Sequence, residues 1–398
     1  MRMSLVANAV VAALIGFGGT IALVIEAAHR LNATPAELIS WVVAVCFAQT
    51  IAGVALSFWH RIPVVIAWST PGAALIAAAP PGADMHTGVG AFLLAAGLIC
   101  VTAIVRPLTR LIEQIPPALG AAMLAGVLLH FILLAVASAQ TQIVLVLSIL
   151  AVFLVGRLLT PALAAIEALI AGILLSLALH LAAPMPASVV MSSLVYIEPR
   201  FDPATLVGIG LPLFLVTMAS QNLPGAAVLR TQGYVPPMSS ILGVTGAISM
   251  VGAVFGAHTV NLAALTAAMC TGPDTHPDMA KRWPAGVIFG LCFAVFGIFA
   301  APLIGVLTAM PVELIRIVAG LALIGALGSA LTAALASETD RFAALLTFAV
   351  TASGLTFAGI GAPFWGLLIG LLVLALQTFK SGVLAGPDAF EVAKKKAS

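Results

Sequence analysis

The sequence predicts an all-α polytopic membrane protein with fourteen transmembrane segments in a seven-plus-seven inverted repeat. Three observations carry this reading. The 398-residue chain is 62% hydrophobic and only 8% charged, whereas a soluble domain carries about 25% charged residues. Many runs of 17 or more residues lack charge, and each is long enough to cross roughly 30 Å of hydrocarbon as a helix. Two short, interrupted apolar segments, one in each half, resemble each other. The runs are continuous rather than alternating, which excludes a β-barrel, and other open structures leave backbone groups unpaired in lipid.

The predicted spans are 5–28, 36–58, 63–79, 87–105, 117–137, 141–157, 160–182, 204–229, 237–254, 258–271, 284–300, 303–334, 341–358 and 363–380. The stretch 303–334 holds a turn at Met310-Pro311 before the twelfth span. The apolar run from the N-terminus reaches Ala28, too long for the core of a signal peptide, so it counts as the first span. The domains follow: a first repeat over 1–183, a periplasmic linker over 184–203, a second repeat over 204–383 and a cytoplasmic tail over 384–398.

An even span number puts both termini on the cytoplasmic side. Arg2, Arg61, Arg106, Arg110, Arg157, Arg230, Lys281, Arg282, Arg341, Lys380, Lys394, Lys395 and Lys396 then lie inside, as the positive-inside rule expects. Arg30 and Arg200 fall outside and Arg316 within a span. Seven spans per half means that the second half enters the membrane upside down. Cys46, Cys100, Cys270 and Cys292 lie in or beside apolar runs without metal-ligand spacing, so they read as small buried hydrophobes. Nothing calls for a metal, a cofactor or a nucleic acid.

The matching segments are Ala67-Trp68-Ser69-Thr70-Pro71-Gly72-Ala73-Ala74-Leu75-Ile76-Ala77-Ala78 and Ala257-His258-Thr259-Val260-Asn261-Leu262-Ala263-Ala264-Leu265-Thr266-Ala267-Ala268, 190 positions apart. In the first, Pro63 to Ile66 reads as extended chain, Ser69 or Thr70 as an N-cap and Pro71 as a first helical residue. In the second, Gly252, Gly256 and Thr259 precede a helix expected through Asn261 to Met269. Discontinuous helices in corresponding positions of two halves mark a transport site, and their starts favour an anion.

The eighth span carries Thr217, Ser220, Gln221 and Asn222 ahead of Pro224-Gly225. Such polar groups face a partner or a cavity. Gly16, Gly18, Gly19 and Thr20 allow close approach of a helix or a ligand to the first span, and Phe17 and Trp68 suit an aromatic wall. His258 reads equally as a proton carrier or as a neutral hydrogen-bonding residue touching substrate. Glu26, near the outer end of the first span, is the rival for proton coupling. Glu167, Glu313 and Arg316 lie outside the proposed site.

At these residues the chain resembles the benzoate membrane transport family, the BenE-type benzoate:proton symporters. The likeness covers nearly the whole chain. It is most specific at Ser220-Gln221-Asn222-Leu223-Pro224-Gly225, at His258 to Ala264, and at the loop Thr271 to Asp278 leading to Arg282-Trp283. It implies kinship with nucleobase and sulfate carriers, a core domain of spans 1–4 and 8–11, and a gate domain of spans 5–7 and 12–14. Nucleobase carriers of this fold use a carboxylate on the eighth span. Here the nearest position is Gln221, which suits a carboxylate cargo.

The expected function is import of benzoate or a related aromatic carboxylate across a bacterial inner membrane by proton symport, through elevator- or rocking-type motion. The expected substrate contacts are Phe17, Gly19, Thr20, Trp68, Ser69, Thr70, Gln221, Asn222, His258, Thr259 and Asn261. His258 and Glu26 are the expected proton-coupling residues. Expected partners are the cargo, protons and membrane lipid, with a homodimer as the candidate assembly. The alternatives are a nucleobase or inorganic-anion carrier of the same fold, or an anion channel. No metalloprotease or nucleophile-elbow motif supports an enzyme.

Overall fold

The computed structural model describes residues 3–80, 82–105, 116–161, 163–184, 191–263, 265–358 and 360–384. Arg2, Arg106, Arg110, Lys394, Lys395, Lys396 and Ala264 lie outside these residues, as do the tail beyond Leu384 and part of the linker. Among the described residues, seven helices are long and apolar enough to cross a membrane, and further apolar helices are shorter. The protein is a helical, multi-pass membrane protein.

In the first half, α1 (Met3–Gly18) and α2 (Ile21–Arg30) are followed by α3 (Pro35–His60), β1 (Ile66–Trp68) and α4 (Thr70–Ala77). Then come α5 (Met85–Ile104), α6 (Pro117–Ala137), α7 (Ile143–Leu159) and α8 (Ala164–Ala178). The second half opens with α9, helical throughout Pro203–Thr231, then α10 (Met238–Ala253), β2 (Val260–Leu262) and α11 (Leu265–Thr271). It closes with α12 (Trp283–Ile298), α13 (Ala300–Thr308), α14 (Val312–Leu335), α15 (Arg341–Ala352), a hairpin of β3 (Thr356–Phe357) and β4 (Ile360–Gly361), and α16 (Ala362–Leu384).

Local chemistry sets these boundaries. Thr34 and Glu37 form a capping box at the start of α3, and Asp84 caps α5 through the Thr87 N–H at 2.8 Å. The turn at Met310-Pro311 separates α13 from α14, because proline favours the first turn of a new helix over the interior of an old one. The linker is tied to the start of α5: the Arg200 N–H donates to the His86 carbonyl at 2.9 Å, and Arg200 approaches Asp84 at 3.9 Å.

The structure departs from the sequence reading in three places. The first span is two helices, not one. Gly19 and Thr20 break it, Thr20 leaving the helical region at φ −132°. The thirteenth segment stops being helical at Ala352, and a hairpin follows. The tenth segment is extended over Val260–Leu262, with its helix starting at Leu265 rather than running through Asn261. Strand pairing with β1 is the cause of this last difference.

That pairing is antiparallel: Ile66 faces Leu262, Ala67 faces Asn261 and Trp68 faces Val260. The ladder continues at both ends, with the Ser69 N–H donating to the Thr259 carbonyl at 3.0 Å and the Ala263 N–H to the Val65 carbonyl at 2.9 Å. A shift of 194 positions exchanges the two strands (Ile66–Trp68 onto Val260–Leu262) and also exchanges these two flanking bonds. The structural offset is therefore 194, not the 190 of the Ala-Ala-Leu-x-Ala-Ala likeness. The four-residue slip is about one helical turn, so an alanine-rich helix keeps the same face toward its neighbours while losing register.

Around this ribbon, α3 packs along α12, α5 along α10, and α1 against α12. Further pairs are α6 with α14 and α15, α7 with α8, and α15 with α16.

Candidate functional site

The two strands lie within the fold, and each peptide group facing away from the partner strand needs another hydrogen-bond partner, since an unpaired buried N–H costs about 1–3 kcal/mol. On β2 these partners are side chains. Ser249 of α10 accepts from the Val260 N–H at 3.0 Å, and the Asn222 carboxamide oxygen accepts from the Leu262 N–H at 3.0 Å. Gly225, one turn beyond Asn222, lets α9 close on the same strand. A Cβ there would stand 2.6 Å from Leu262 Cβ and 2.9 Å from the Ala263 carbonyl oxygen. The Ser220–Gly225 motif is thus partly a strand clamp, and Asn222 is spent on the backbone rather than left for a ligand.

Helix α9 contains two π-turns, Leu206–Gly210 and Met218–Asn222, each followed closely by a proline, Pro212 and Pro224. Such widened turns accompany functional sites in helices. Immediately before the second, the buried Thr217 hydroxyl reaches Ser69 Oγ at 3.0 Å and Thr259 Oγ1 at 2.9 Å. One hydroxyl so joins three elements: α9, the cap of α4 and the approach to β2.

Ser69 is held at every polar atom. Its hydroxyl accepts from the Gly72 N–H at 3.1 Å as the N-cap of α4, its N–H pairs with Thr259, and its carbonyl accepts from the Ala73 N–H at 2.7 Å. The same carbonyl lies 3.2 Å from His258 Nε2. The first turn of α4 therefore keeps few spare donors. Pro71 has no N–H, and those of Gly72 and Ala73 return to Ser69.

His258 is fully buried, and Trp41 Nε1 donates to its Nδ1 at 2.9 Å. An indole nitrogen can only donate, so Nδ1 is the acceptor and Nε2 carries the hydrogen toward the Ser69 carbonyl. This is a neutral imidazole with both nitrogens engaged by protein. A second ring proton would point at the indole N–H. Of the two readings open for His258, this arrangement matches the neutral hydrogen-bonding one, with both ring nitrogens taken by protein. Strand β2 lies between His258 and α11.

The aromatic wall is larger than expected. Phe17 and Trp68 have ring centroids 5.7 Å apart, Trp68 meets Phe293 edge-on at 5.7 Å, and Phe17 lies 4.6 Å from Phe296. Phe289 continues the cluster at 5.1 Å from Phe293. The three phenylalanines of α12 follow an i, i+4, i+7 spacing that marks one helix face. Trp41 and Ser249 carry no comparable signal, because their partners are remote in sequence. The Trp68 indole donates to Thr20 Oγ1 at 2.8 Å, and Thr20 donates to the Gly16 carbonyl at 2.6 Å. Gly18 and Gly19 meet Ile166 and Ala165 of α8, so these glycines serve helix approach.

What remains open is a small polar set. Thr70, Ser220 and Gln221 are half-buried, and their side chains have no hydrogen-bond partner among the described residues. Gln221 stands about one turn beyond Thr217. Ala67 is half-buried while its neighbours Ile66 and Trp68 are buried. Asn261, opposite Ala67, donates from Nδ2 to the Leu262 carbonyl at 2.8 Å, and its Oδ1 has no partner among the described residues. Glu26 of α2 is half-buried and forms no ion pair or hydrogen bond among the described residues.

Comparison with known proteins fits this architecture. The family model described as "Benzoate membrane transport protein" matches residues 1–376. The chain belongs to that family. It is 33% identical over 361 residues to the benzoate membrane transport protein of Acinetobacter baylyi, covering 91% of this chain and 92% of that protein. It is 41% identical over 366 residues to the inner membrane protein YdcO of Escherichia coli, covering 90% and 92%. In fold it is similar to the transmembrane domain of a cyanobacterial bicarbonate transporter, BicA, with TM-score 0.60 at 11% identity, covering 93% of this chain and 97% of that one. SLC26A9 gives TM-score 0.65 at 11% identity, covering 94% and 65%. As a family member this protein is a membrane transporter and not an enzyme.

Proposed function

We propose that this transporter imports benzoate or a related aromatic carboxylate across the bacterial inner membrane by proton symport. The observation that carries the reading is the paired-strand centre, where an aromatic cluster from α1, β1 and α12 adjoins polar groups with spare hydrogen-bonding capacity. Thr70, Ser220 and Gln221 would hold the carboxyl group, and Phe17, Trp68 and Phe293 would flank the ring. No Lys, Arg, Asp or Glu side chain stands among these residues, so the cargo is oriented by dipoles.

The fourteen-span, seven-plus-seven plan is supported by packing that recurs under exchange of the halves. The pair α3–α12 answers α10–α5, α7–α8 answers α15–α16, and β1–β2 and α6–α14 each answer themselves. In this plan spans 1–4 and 8–11 form a core and spans 5–7 and 12–14 a gate. Movement of one against the other would carry the cargo. Cytoplasmic termini follow from the charge distribution.

Ligand-dependent thermal stabilisation of the purified protein tests the cargo. Benzoate should raise the melting temperature, and uracil, bicarbonate and sulfate should leave it unchanged. Stabilisation by one of those and not by benzoate would replace the proposal with the alternative carrier.

A further inference from the structure

Resting on the proposed aromatic-acid cargo, we infer that the transported proton rides on the carboxyl group of the cargo itself, whose O–H is accepted by Asn261 Oδ1. Four observations converge on this. Asn261 is fully buried and its Oδ1 has no donor among the described residues. Its orientation is fixed, because Nδ2 donates to the Leu262 carbonyl at 2.8 Å and a reversed amide would set oxygen against oxygen. Residues directly opposite in an antiparallel pair project to the same face, and Asn261 is opposite Ala67, the one strand residue of β1 that is half-buried. The orphan acceptor therefore belongs to the face of the ribbon that opens. Finally, the first turn of α4 has spent its Gly72 and Ala73 donors on Ser69. The first turn of α4 is short of backbone donors for a carboxylate, and the ribbon holds an acceptor that needs a donor.

No side chain in this layer competes for the proton. The elements packed on β2 are β1, α3, α10 and α9. Strand β1 and helix α10 contain no titratable residue. Helix α3 contributes Glu37 and His60 near its ends and Cys46, which packs against Gly297. Helix α9 contributes Arg230 near its end, with Asp202 as its cap. His258, beside β2, has both nitrogens engaged.

The balance is simple. Outside, a carboxylate oxygen takes a proton from water and forms an O–H bond. That O–H donates to Asn261 Oδ1 during crossing. Inside, the bond breaks and the carboxylate and the proton leave separately. Net movement is one anion and one proton, so charge is conserved without a protein carrier.

Calorimetric binding of benzoate and benzamide to the full-length protein, in buffers of differing ionisation enthalpy, tests this. Benzamide mimics the acid: neutral, with an N–H where the acid has O–H. Benzoate should bind with uptake of one proton, weakening about tenfold per pH unit between pH 6 and 8. Benzamide should bind without proton uptake and with an affinity independent of pH. Failure of benzamide to bind where benzoate binds, or benzoate affinity that ignores pH, would overturn the inference. If benzoate itself does not bind, the proposed cargo falls instead, which is a separable result.

Discussion

Replacement of His258 separates a proton carrier from a fixed hydrogen-bonding group. In His258→Ala the Trp41 indole N–H loses its acceptor, while the Ser69 carbonyl keeps the Ala73 N–H. The orphaned donor costs about 1–3 kcal/mol, and the emptied ring volume adds at least about 2 more. Against a total stability of about 5–15 kcal/mol, that sum predicts a sharp loss of folded protein in detergent. His258→Gln is different. Its carboxamide oxygen can accept from Trp41 and its N–H can donate to Ser69, each bond retaining about 0.5–1.5 kcal/mol. The assay pairs a thermal melt in detergent with proton-driven uptake into proteoliposomes. His258→Gln should stay folded and accumulate cargo in response to a proton gradient. A folded His258→Gln protein that exchanges cargo but no longer accumulates it would refute the reasoning and return the proton to His258.

Other positions give equally direct tests. Gly225→Leu should abolish transport and lower folded yield, because even a Cβ there stands 2.6 Å from Leu262 Cβ and overpacking costs about 1–3 kcal/mol or more. Near-normal uptake would mean that α9 does not close on β2. Thr217→Val removes the hydroxyl joining Ser69 and Thr259 and should lower the melting temperature, at about 0.6 kcal/mol per interhelical bond in membranes. An unchanged melt would contradict that linkage. Asp202 caps α9, and hydrogen bonds from the Thr205 hydroxyl and N–H hold its carboxyl below the usual carboxylate range. A lowered folded-state value means stability present above about pH 4 and lost as pH falls further. Asp202→Asn should therefore flatten the acid limb of the melting curve, and an unaltered limb would count against the cap.

The membrane class and the interrupted third segment are legible in the sequence because they rest on local rules: uncharged runs, an extended Pro63–Ile66, a Ser69 cap and a proline after it. The tenth segment misleads for a physical reason. Val260-Asn261-Leu262 is too short to carry a strand period of its own, and only its pairing with β1, 194 positions away, makes it a strand. The alanine-rich likeness at 190 positions hides the true register by about one turn. The polar cluster of α9 is equally visible as composition, yet its division is not. Asn222 and Thr217 are committed to protein partners, and Gln221 and Ser220 are not. That division depends on long-range hydrogen bonds, which no local pattern encodes. The same holds for His258, whose role is decided by Trp41, 217 positions away.

Uptake of radiolabelled benzoate into proteoliposomes tests the central claim most directly, with an imposed inward proton gradient compared against the same vesicles after the gradient is collapsed. The account predicts accumulation above the equilibrium level only while the gradient stands. Absence of gradient-stimulated uptake of any aromatic acid would contradict it.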